Sequence, residues 1–204
     1  MNTKKLQKKE AKRQLILEAA IRVFARHGFT KTSVSQVARE ANVADGTIYL
    51  YFANKNELLT SIFDEAMSFF IAQATESLND LNSAPEKLRK LATLHLRNLG
   101  ENEDIATVFQ VELRHSIRIM KHFSQTTLRA YLRLMEEIIL LGQKEGSIRR
   151  ELDPKILVKV FFGALDEMTT NWILRKRDYQ LKEMVEPVLD ILLNGIVPAE
   201  ETPL

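Results

Sequence analysis

The stretch Ser33–Glu57, SVSQVAREANVADGTIYLYFANKNE, predicts two short helices joined by a tight turn. Ser33 with Gln36 three residues later has the pattern of a capping box, in which each side chain satisfies a free backbone N–H of the first helical turn. The next apolar residues recur at helical spacing and form one stripe: Val34, Val37 and Ala38. Asn42 lies in the turn, where it tolerates a left-handed backbone better than most other residues. The pattern is that of a helix-turn-helix.

The second helix of this motif presents small, polar and aromatic groups to solvent. Val43 and Ile48 are predicted to face the core. Glycine permits close backbone approach, and threonine and tyrosine hydroxyls can reach phosphates or base edges in a DNA groove. Lys55, in the first turn of the next helix, can hold a phosphate together with the free backbone N–H groups there. The predicted DNA-binding residues are Thr32, Ser33, Asp45, Gly46, Thr47, Tyr49, Tyr51 and Lys55.

Charge is unevenly distributed along the 204 residues. Residues 1–60 carry eleven Lys and Arg against five Asp and Glu, a balance of +6, whereas the remainder balances at −4. Such asymmetry indicates that the N-terminal part faces nucleic acid. The lysines within residues 1–12 predict a basic arm, partly disordered without DNA, that attracts phosphates without reading sequence.

Several classes of protein are disfavoured by composition. No apolar run approaches the ~18 residues of a membrane span, and the Lys-rich N-terminus lacks the apolar core of a signal peptide. The chain has no cysteine, which excludes disulfides and thiolate metal sites. His115 and His122 lack a third clustered ligand, so no metal site is predicted. No phosphate loop or nucleophile–base pair is visible. We therefore expect a cytoplasmic protein that is not an enzyme, has no cofactor and makes no membrane contact.

Helical periodicity and cap signals extend along the whole chain, so the predicted fold class is all-α. A helix over residues 13–27, ended by Gly28, completes an N-terminal three-helix unit. Further helices are predicted over about 54–80, 83–100, 103–115, 117–146, 153–177 and 181–196. We assign residues 1–53 to a DNA-binding helix-turn-helix domain with its basic arm. Residues 54–204 form a ligand-binding and dimerisation domain, which the helix over about 54–80 links to the first.

The last two helices are more apolar than the surface of a monomer tolerates, and a small pair at 163 and 164 allows close helix approach. We predict a two-fold interface in which two helices from each subunit form a four-helix bundle. A monomer core is the alternative. Asp166 interrupts the apolar run beside Glu167, and we favour pairing with an Arg or the chain's own polar groups over a ligand role. The predicted interface residues are Gly163, Ala164, Glu167, Val188 and Leu192.

Large apolar side chains in the middle helices stand beside a cationic cluster that includes His115 and His122. A long apolar slot with a cationic mouth suits an amphiphile with an anionic head. A hydrophobic cation or drug would instead need acidic or aromatic caging. A regulator that answers to a protein partner is a further alternative. The predicted ligand-binding residues are Leu94, Phe109, Leu113, Arg114, Arg118, Lys121, Phe123, Tyr131, Phe161, Phe162 and Trp172.

The N-terminal motifs resemble the DNA-binding domain of TetR-family transcriptional regulators over about residues 10–60. The matching segments are 32–34 (TSV), 37–38 (VA), 45–52 (DGTIYLYF), 54–55 (NK) and 57–59 (ELL). The resemblance implies a homodimeric regulator that binds a palindromic operator in double-stranded DNA. Ala44 departs from the Ser or Thr usual in the family, so we expect Asp45 to cover that helix start. Asn42 replaces the usual glycine, a change that the turn can absorb.

Segments 44–52 (ADGTIYLYF), 110–114 (QVELR) and 163–167 (GALDE), with Trp172, look like the fatty-acid-degradation repressors of the same family. The C-terminal domains of those repressors bind long-chain acyl-CoA. The resemblance implies that acyl-CoA enters the slot, shifts the linker helix and releases DNA. Arg114, Arg118 and Lys121 would then hold the CoA phosphates, and the aromatic residues the acyl chain. A regulator of an efflux system induced by a hydrophobic drug is the alternative.

Overall fold

The computed structural model describes residues 2–113, 117–175 and 177–195 of the chain. All regular secondary structure in these ranges is helical, which confirms the predicted all-α fold. A π-helical turn (Val108–Glu112) follows α6 directly, and a 3₁₀ turn (Leu181–Met184) precedes α10. The α-helices are α1 (Asn2–His27), α2 (Val34–Glu40), α3 (Asp45–Tyr49), α4 (Lys55–Leu78), α5 (Ala84–Glu101), α6 (Glu103–Thr107), α7 (Ile117–Gln125), α8 (Thr127–Glu145), α9 (Pro154–Leu174) and α10 (Val185–Asn194).

The chain forms two compact units, and their limits differ from the predicted domain boundary at residues 53 and 54. The first unit contains the described residues of 1–71 and 102–131, and the second contains those of 72–101 and 132–204. Residues 102–112 fall in the first unit because α6 and the π-helical turn pack against α1. The helix-turn-helix therefore shares a unit with a segment that the sequence analysis placed in the ligand-binding domain.

The helix-turn-helix forms through the local signals that predicted it. The Gln36 backbone N–H donates to the Ser33 hydroxyl over 3.2 Å, and the Gln36 side chain accepts the Ser33 backbone N–H over 2.7 Å. This pair is the expected capping box. Asn42 adopts a φ of 52°, as the turn requires. The apolar residues that close this small core are buried: Val37, Ala38 and Ile48.

The start of α1 differs from its prediction. The basic arm was expected to be partly disordered, yet the chain is helical from Asn2 onward. Its residues explain this, because Lys, Leu, Gln, Ala and Glu are good helix formers and the arm contains neither glycine nor proline. The lysines at positions 4–12 therefore extend from the same helix that packs against α2.

Side-chain caps begin several later helices where the sequence places them. Asn54 accepts the backbone N–H of Glu57 over 3.0 Å at the start of α4. The Ser83 hydroxyl oxygen accepts the Glu86 backbone N–H over 3.4 Å at the start of α5. Asp153 accepts the Lys155 N–H over 2.8 Å ahead of α9. These bonds satisfy N–H groups that the first helical turn leaves free.

Two predicted helices are interrupted. The helix expected over 103–115 changes to π-helical geometry at Val108, and the long helix expected from residue 117 is divided at Thr126. The Thr126 hydroxyl donates to the His122 carbonyl oxygen over 2.9 Å. A side chain that takes up a backbone carbonyl in this way competes with the regular helical bonding pattern. The division separates α7 from α8 at this point.

A buried histidine lies in the second unit. His95 of α5 is largely hidden from solvent, and its ring centroid lies 6.2 Å from that of Phe162. Burial lowers the pKa of His95 to about 4, and the negative charge of Asp166 opposes this shift. The charge of Asp166 therefore acts on a histidine of its own unit, and its pairing with an Arg or with the chain's own polar groups stays a prediction.

Acidification should destabilise the fold through His95. The unfolded chain binds a proton at this histidine near pH 6.5, whereas the folded chain resists doing so until about pH 4. The free energy of unfolding should therefore fall between pH 6.5 and pH 4. Urea titrations measure how much the free energy of unfolding falls between pH 7.5 and pH 5. We expect this fall to be about 2 kcal/mol smaller in His95→Gln than in the parent. An unchanged pH dependence of the free energy of unfolding in His95→Gln would contradict the assignment.

Candidate nucleic-acid interface and aromatic cluster

Half of the eight predicted DNA-binding residues lie in α3: Asp45, Gly46, Thr47 and Tyr49. Asp45 and Gly46 are exposed, and Tyr49 is 56% exposed, whereas Ile48 is buried. Thr47 in the same helix is half-buried, and so is Tyr51, two residues beyond its end. A β-carbon placed on Gly46 would meet no atom of the chain within 4 Å. The helix thus offers a small central residue between polar and aromatic groups, an arrangement suited to a DNA groove.

Two serines of the motif organise α2 and α3. Ser33 is exposed, and its hydroxyl caps α2. Ser35 donates its hydroxyl proton to the Asp45 carboxylate, which ties α2 to the start of α3. Ala44 makes no side-chain cap there. Asp45 therefore stabilises the helix pair in the free protein, whatever it contacts in a complex.

Thr32 is buried beside the loop that precedes α2. Its side chain is only 3% exposed, and its hydroxyl donates to the Gly28 carbonyl oxygen over 2.8 Å. A side chain enclosed in this way cannot reach DNA without leaving its pocket. The Thr32 hydroxyl closes the loop between α1 and α2, and the assignment of Thr32 to the DNA interface stays a prediction.

Lys55 also has its side chain turned toward the protein. The ammonium lies 2.8 Å from both the Phe29 and the Thr32 carbonyl oxygens and 4.4 Å from the centroid of the Phe29 ring. Burial lowers the pKa of Lys55, and the negative charge of Glu112 opposes this shift. In this conformation the ammonium binds the α1–α2 loop. A phosphate contact would have to compete with those carbonyls.

Several exposed groups of the helix-turn-helix region are not among the predicted DNA-binding residues. Leu50 directly follows α3 and is 77% exposed, so it can contribute an apolar contact beside Tyr49. Arg39, in the last turn of α2, is exposed and lines an open groove together with Asn42 and Asp45. Exposed Lys31 lies just before the motif. The sequence did contain signals for these residues. Arg39 and Lys31 are basic and lie outside the buried stripe, and Leu50 lies two positions beyond buried Ile48.

Aromatic side chains from three elements form an aromatic cluster in the first unit. We use this term for Phe63 of α4, Phe109 of the π-helical turn and Phe123 of α7. The Phe63 ring centroid lies 4.8 Å from that of Phe109 and 5.7 Å from that of Phe123, and the last two are 5.8 Å apart. Leu113 is buried at the end of the π-helical turn. The predicted residues Phe109 and Phe123 are thus brought together, and Phe63 is added to them.

A second ring pair lies in the same unit. The Tyr131 ring packs edge-on against Phe70 with centroids 5.0 Å apart, and Tyr131 is almost fully buried. Burial raises the pKa of the Tyr131 phenol well above its ordinary value. This predicted ligand-binding residue therefore stays neutral within an apolar part of the first unit.

The predicted cationic mouth is only partly described. Arg114, with His115, lies outside the described residues, and so does the side chain of Arg118. Lys121 is exposed on α7. His122 Nε2 lies 3.3 Å from a carboxylate oxygen of Asp64. Among the described residues, no three histidines, aspartates or glutamates are grouped as metal ligands would be.

The remaining predicted ligand-binding residues belong to the second unit. Leu94 and Phe161 are buried there, and Phe162 is half-buried beside His95. Trp172 donates its indole N–H to the Tyr179 carbonyl oxygen over 2.8 Å, and Arg177 lies 5.7 Å from the centroid of one of its rings. Trp172 therefore holds the connection between α9 and the 3₁₀ turn.

The predicted dimer residues separate into exposed and buried groups. Gly163 and Glu167 are exposed on α9, and Ala164 and Leu192 are half-buried. Val188 is only 7% exposed, so little of its side chain is left to contact a partner subunit, and its interface role stays a prediction. Apolar residues outside the predicted interface set are exposed on α9 and α10, among them Ile156, Val160, Leu174 and Ile191.

Across the described part of the chain, none of the helices combines the length and apolar character that a membrane crossing requires.

Comparison with protein families matches two successive parts of the chain. The model for bacterial regulatory proteins of the tetR family matches residues 16–62, and that for the C-terminal region of YsiA-like proteins matches residues 63–195. The chain is 35% identical over 191 residues to the fatty acid metabolism regulator protein of Bacillus subtilis (strain 168). That alignment covers 94% of this chain and 98% of the relative.

Two solved structures are similar over nearly the whole chain. The transcriptional regulator FadR from Bacillus subtilis in complex with stearoyl-CoA has a TM-score of 0.87 at 34% identity, covering 90% of this chain and 99% of that one. The fatty acid degradation regulator FadR from Bacillus halodurans has a TM-score of 0.87 at 38% identity, covering 91% and 96%.

Gly46→Ala should separate stability from DNA binding. Alanine has open space at this position and favours a helix over glycine by about 0.8–1 kcal/mol, so the free energy of unfolding should rise. If α3 enters a DNA groove with Gly46 at its closest point, the added methyl should weaken binding about tenfold or more. Urea titration and fluorescence anisotropy on a duplex selected from a random library measure the two effects. A more stable variant with the parent's DNA affinity would remove Gly46 from the interface.

Proposed function

The chain belongs to the TetR family of bacterial regulatory proteins, and we propose that it represses fatty-acid-degradation genes and is released from its operator by long-chain acyl-CoA. The main support is its 35% identity over 94% of its length to a fatty acid metabolism regulator. The similar structure with stearoyl-CoA supports this class of effector. As a transcriptional regulator, the protein would act in the cytoplasm and carry out no catalytic step.

On the DNA side, the exposed face of α3 supplies the groove-reading surface. Tyr49 and the neighbouring Leu50 project from it, and Gly46 allows close approach. The phosphate backbone around it is contacted by four further residues: Ser33 at the start of α2, Arg39 in its last turn, Thr47 of α3 and Tyr51 just beyond α3. The lysines of α1 add salt-dependent attraction that does not read sequence. These residues divide recognition between base edges and phosphates.

A homodimer would present two such helices to a palindromic site. The exposed apolar residues of α9 and α10 offer a surface that monomers seldom leave in water. Gly163 is exposed on α9, with no atom of the chain within 4 Å of a β-carbon built on it, so a partner helix can approach closely. Two subunits related by a two-fold axis then place their recognition helices about 34–36 Å apart, one turn of DNA.

On the effector side, the aromatic cluster supplies an apolar contact for the acyl chain. Phe63, Phe109 and Phe123 bring three rings together within the first unit. Lys121 on α7 is exposed, and Arg114 and Arg118 stand near it in sequence. Phosphates of CoA attract such cations more strongly than a neutral or cationic drug would. An anionic amphiphile therefore fits these residues better than a hydrophobic cation.

Stearoyl-CoA should raise the melting temperature of the protein and weaken its binding to the selected operator, whereas CoA alone should do neither. Phe109→Gln should weaken stearoyl-CoA binding about tenfold or more, because an amide must lose water to meet the acyl chain. The matched control is Phe69→Gln, since Phe69 is 69% exposed on α4, outside the cluster.

Thermal shift and anisotropy titrations measure both effects. A parent protein that keeps its melting temperature and its DNA affinity in stearoyl-CoA would disprove the acyl-CoA response. Equal losses of affinity in Phe109→Gln and Phe69→Gln would remove the aromatic cluster from the effector site.

A further inference from the structure

The loop between α1 and α2 is hydrogen-bonded to a carboxylate that lies far along the chain. Glu112, at the end of the π-helical turn, accepts the Phe29 backbone N–H over 2.9 Å. Its side chain is buried, being only 5% exposed. Its other carboxylate oxygen would lie 3.4 Å from a β-carbon on Gly28, whose φ is +78°. Glycine at position 28 therefore supplies the left-handed backbone next to this carboxylate.

The same loop is held from its other side by Lys55. The ammonium donates to the Phe29 and Thr32 carbonyl oxygens, and the Glu112 carboxylate accepts the Phe29 N–H. Hydrogen bonds to charged groups are stronger than neutral ones, particularly away from water. The loop that leads into α2 is thus fixed between an anion from the π-helical turn and a cation from α4.

The π-helical turn connects this contact to the aromatic cluster. Phe109 lies in the cluster, and Glu112 follows it by three residues in the same turn. Single π-helical turns within α-helices are uncommon and occur often at functional sites. A molecule that displaces the Phe109 ring must therefore alter the turn that positions the Glu112 carboxylate.

We propose that Glu112 is the positioning residue through which the effector acts on DNA binding. In the DNA-binding form its carboxylate holds the Phe29 N–H and fixes the α1–α2 loop. An acyl chain at Phe109 shifts the π-helical turn, withdraws the carboxylate and frees the loop to move with α2 and α3. This role rests on the proposed function, since it requires an effector at the aromatic cluster.

The proposed role of Glu112 predicts opposite changes in DNA affinity and in ligand affinity, which a purely structural contact would not produce. If the Glu112 bond favours the DNA-binding form, its loss shifts the protein toward the released form. Glu112→Ala should then bind the selected operator about tenfold more weakly and stearoyl-CoA about tenfold more tightly, as expected for one charged hydrogen bond. The factor by which stearoyl-CoA weakens operator binding should shrink accordingly.

The experiment uses the full-length chain, with anisotropy for the operator and a thermal-shift titration for stearoyl-CoA. Glu103→Ala is the matched control, because it removes an exposed negative charge from the preceding helix α6. Glu112→Gln keeps an acceptor of similar size, so it should fold where alanine does not and show smaller changes in the same directions.

Each outcome decides the proposal. Unchanged DNA affinity, ligand affinity and coupling in a less stable Glu112 variant would reduce the contact to a structural one. Tighter DNA binding with weaker ligand binding would place the contact in the released form and overturn the proposal. Stearoyl-CoA failing to release the parent protein would overturn the proposed function itself and, with it, this role. That result is measured on the parent protein alone, so it is distinguishable from a failure of the Glu112 role, which is measured on the variants.

Discussion

The hydrogen bond between the Phe29 N–H and the Glu112 carboxylate is the constraint on which the first unit depends. It joins the loop before α2 to a turn 83 residues later, and Lys55 binds the carbonyl side of the same peptide segment. Buried backbone groups need such partners, since an unsatisfied N–H costs about as much as a lost hydrogen bond. Because α1, α2, α4 and the π-helical turn meet at this loop, the position of α3 is tied to a segment outside the helix-turn-helix.

The parts of the fold that follow from neighbouring residues could be predicted from sequence. The Ser33–Gln36 capping box, the left-handed turn at Asn42 and the caps at Asn54 and Asp153 each involve residues within four positions of one another. Burial of Ile48 and exposure of Tyr49 follow from helical periodicity alone. The helix-turn-helix was therefore recognisable, with Gly46 and Tyr49 on its outer face.

What sequence could not supply were contacts between distant segments. Lys55 was assigned to DNA from its place in a first helical turn, but its ammonium meets carbonyls 23 and 26 residues earlier. Thr32 is enclosed by a loop whose shape depends on Glu112, and Val188 faces inward because of packing in the second unit. The π-helical turn likewise has no local signature in Val108–Glu112. Non-local packing decided each of these positions.

The most direct test of this account is hydrogen exchange at the Phe29 amide, with and without stearoyl-CoA. In the ligand-free protein the Glu112 carboxylate should protect this amide. Saturating stearoyl-CoA should accelerate its exchange about tenfold or more, while the Val37 amide, bonded within α2 to Ser33, should keep its rate. Equal protection of Phe29 in the bound and free protein would contradict the coupling between the effector and the DNA-binding helices.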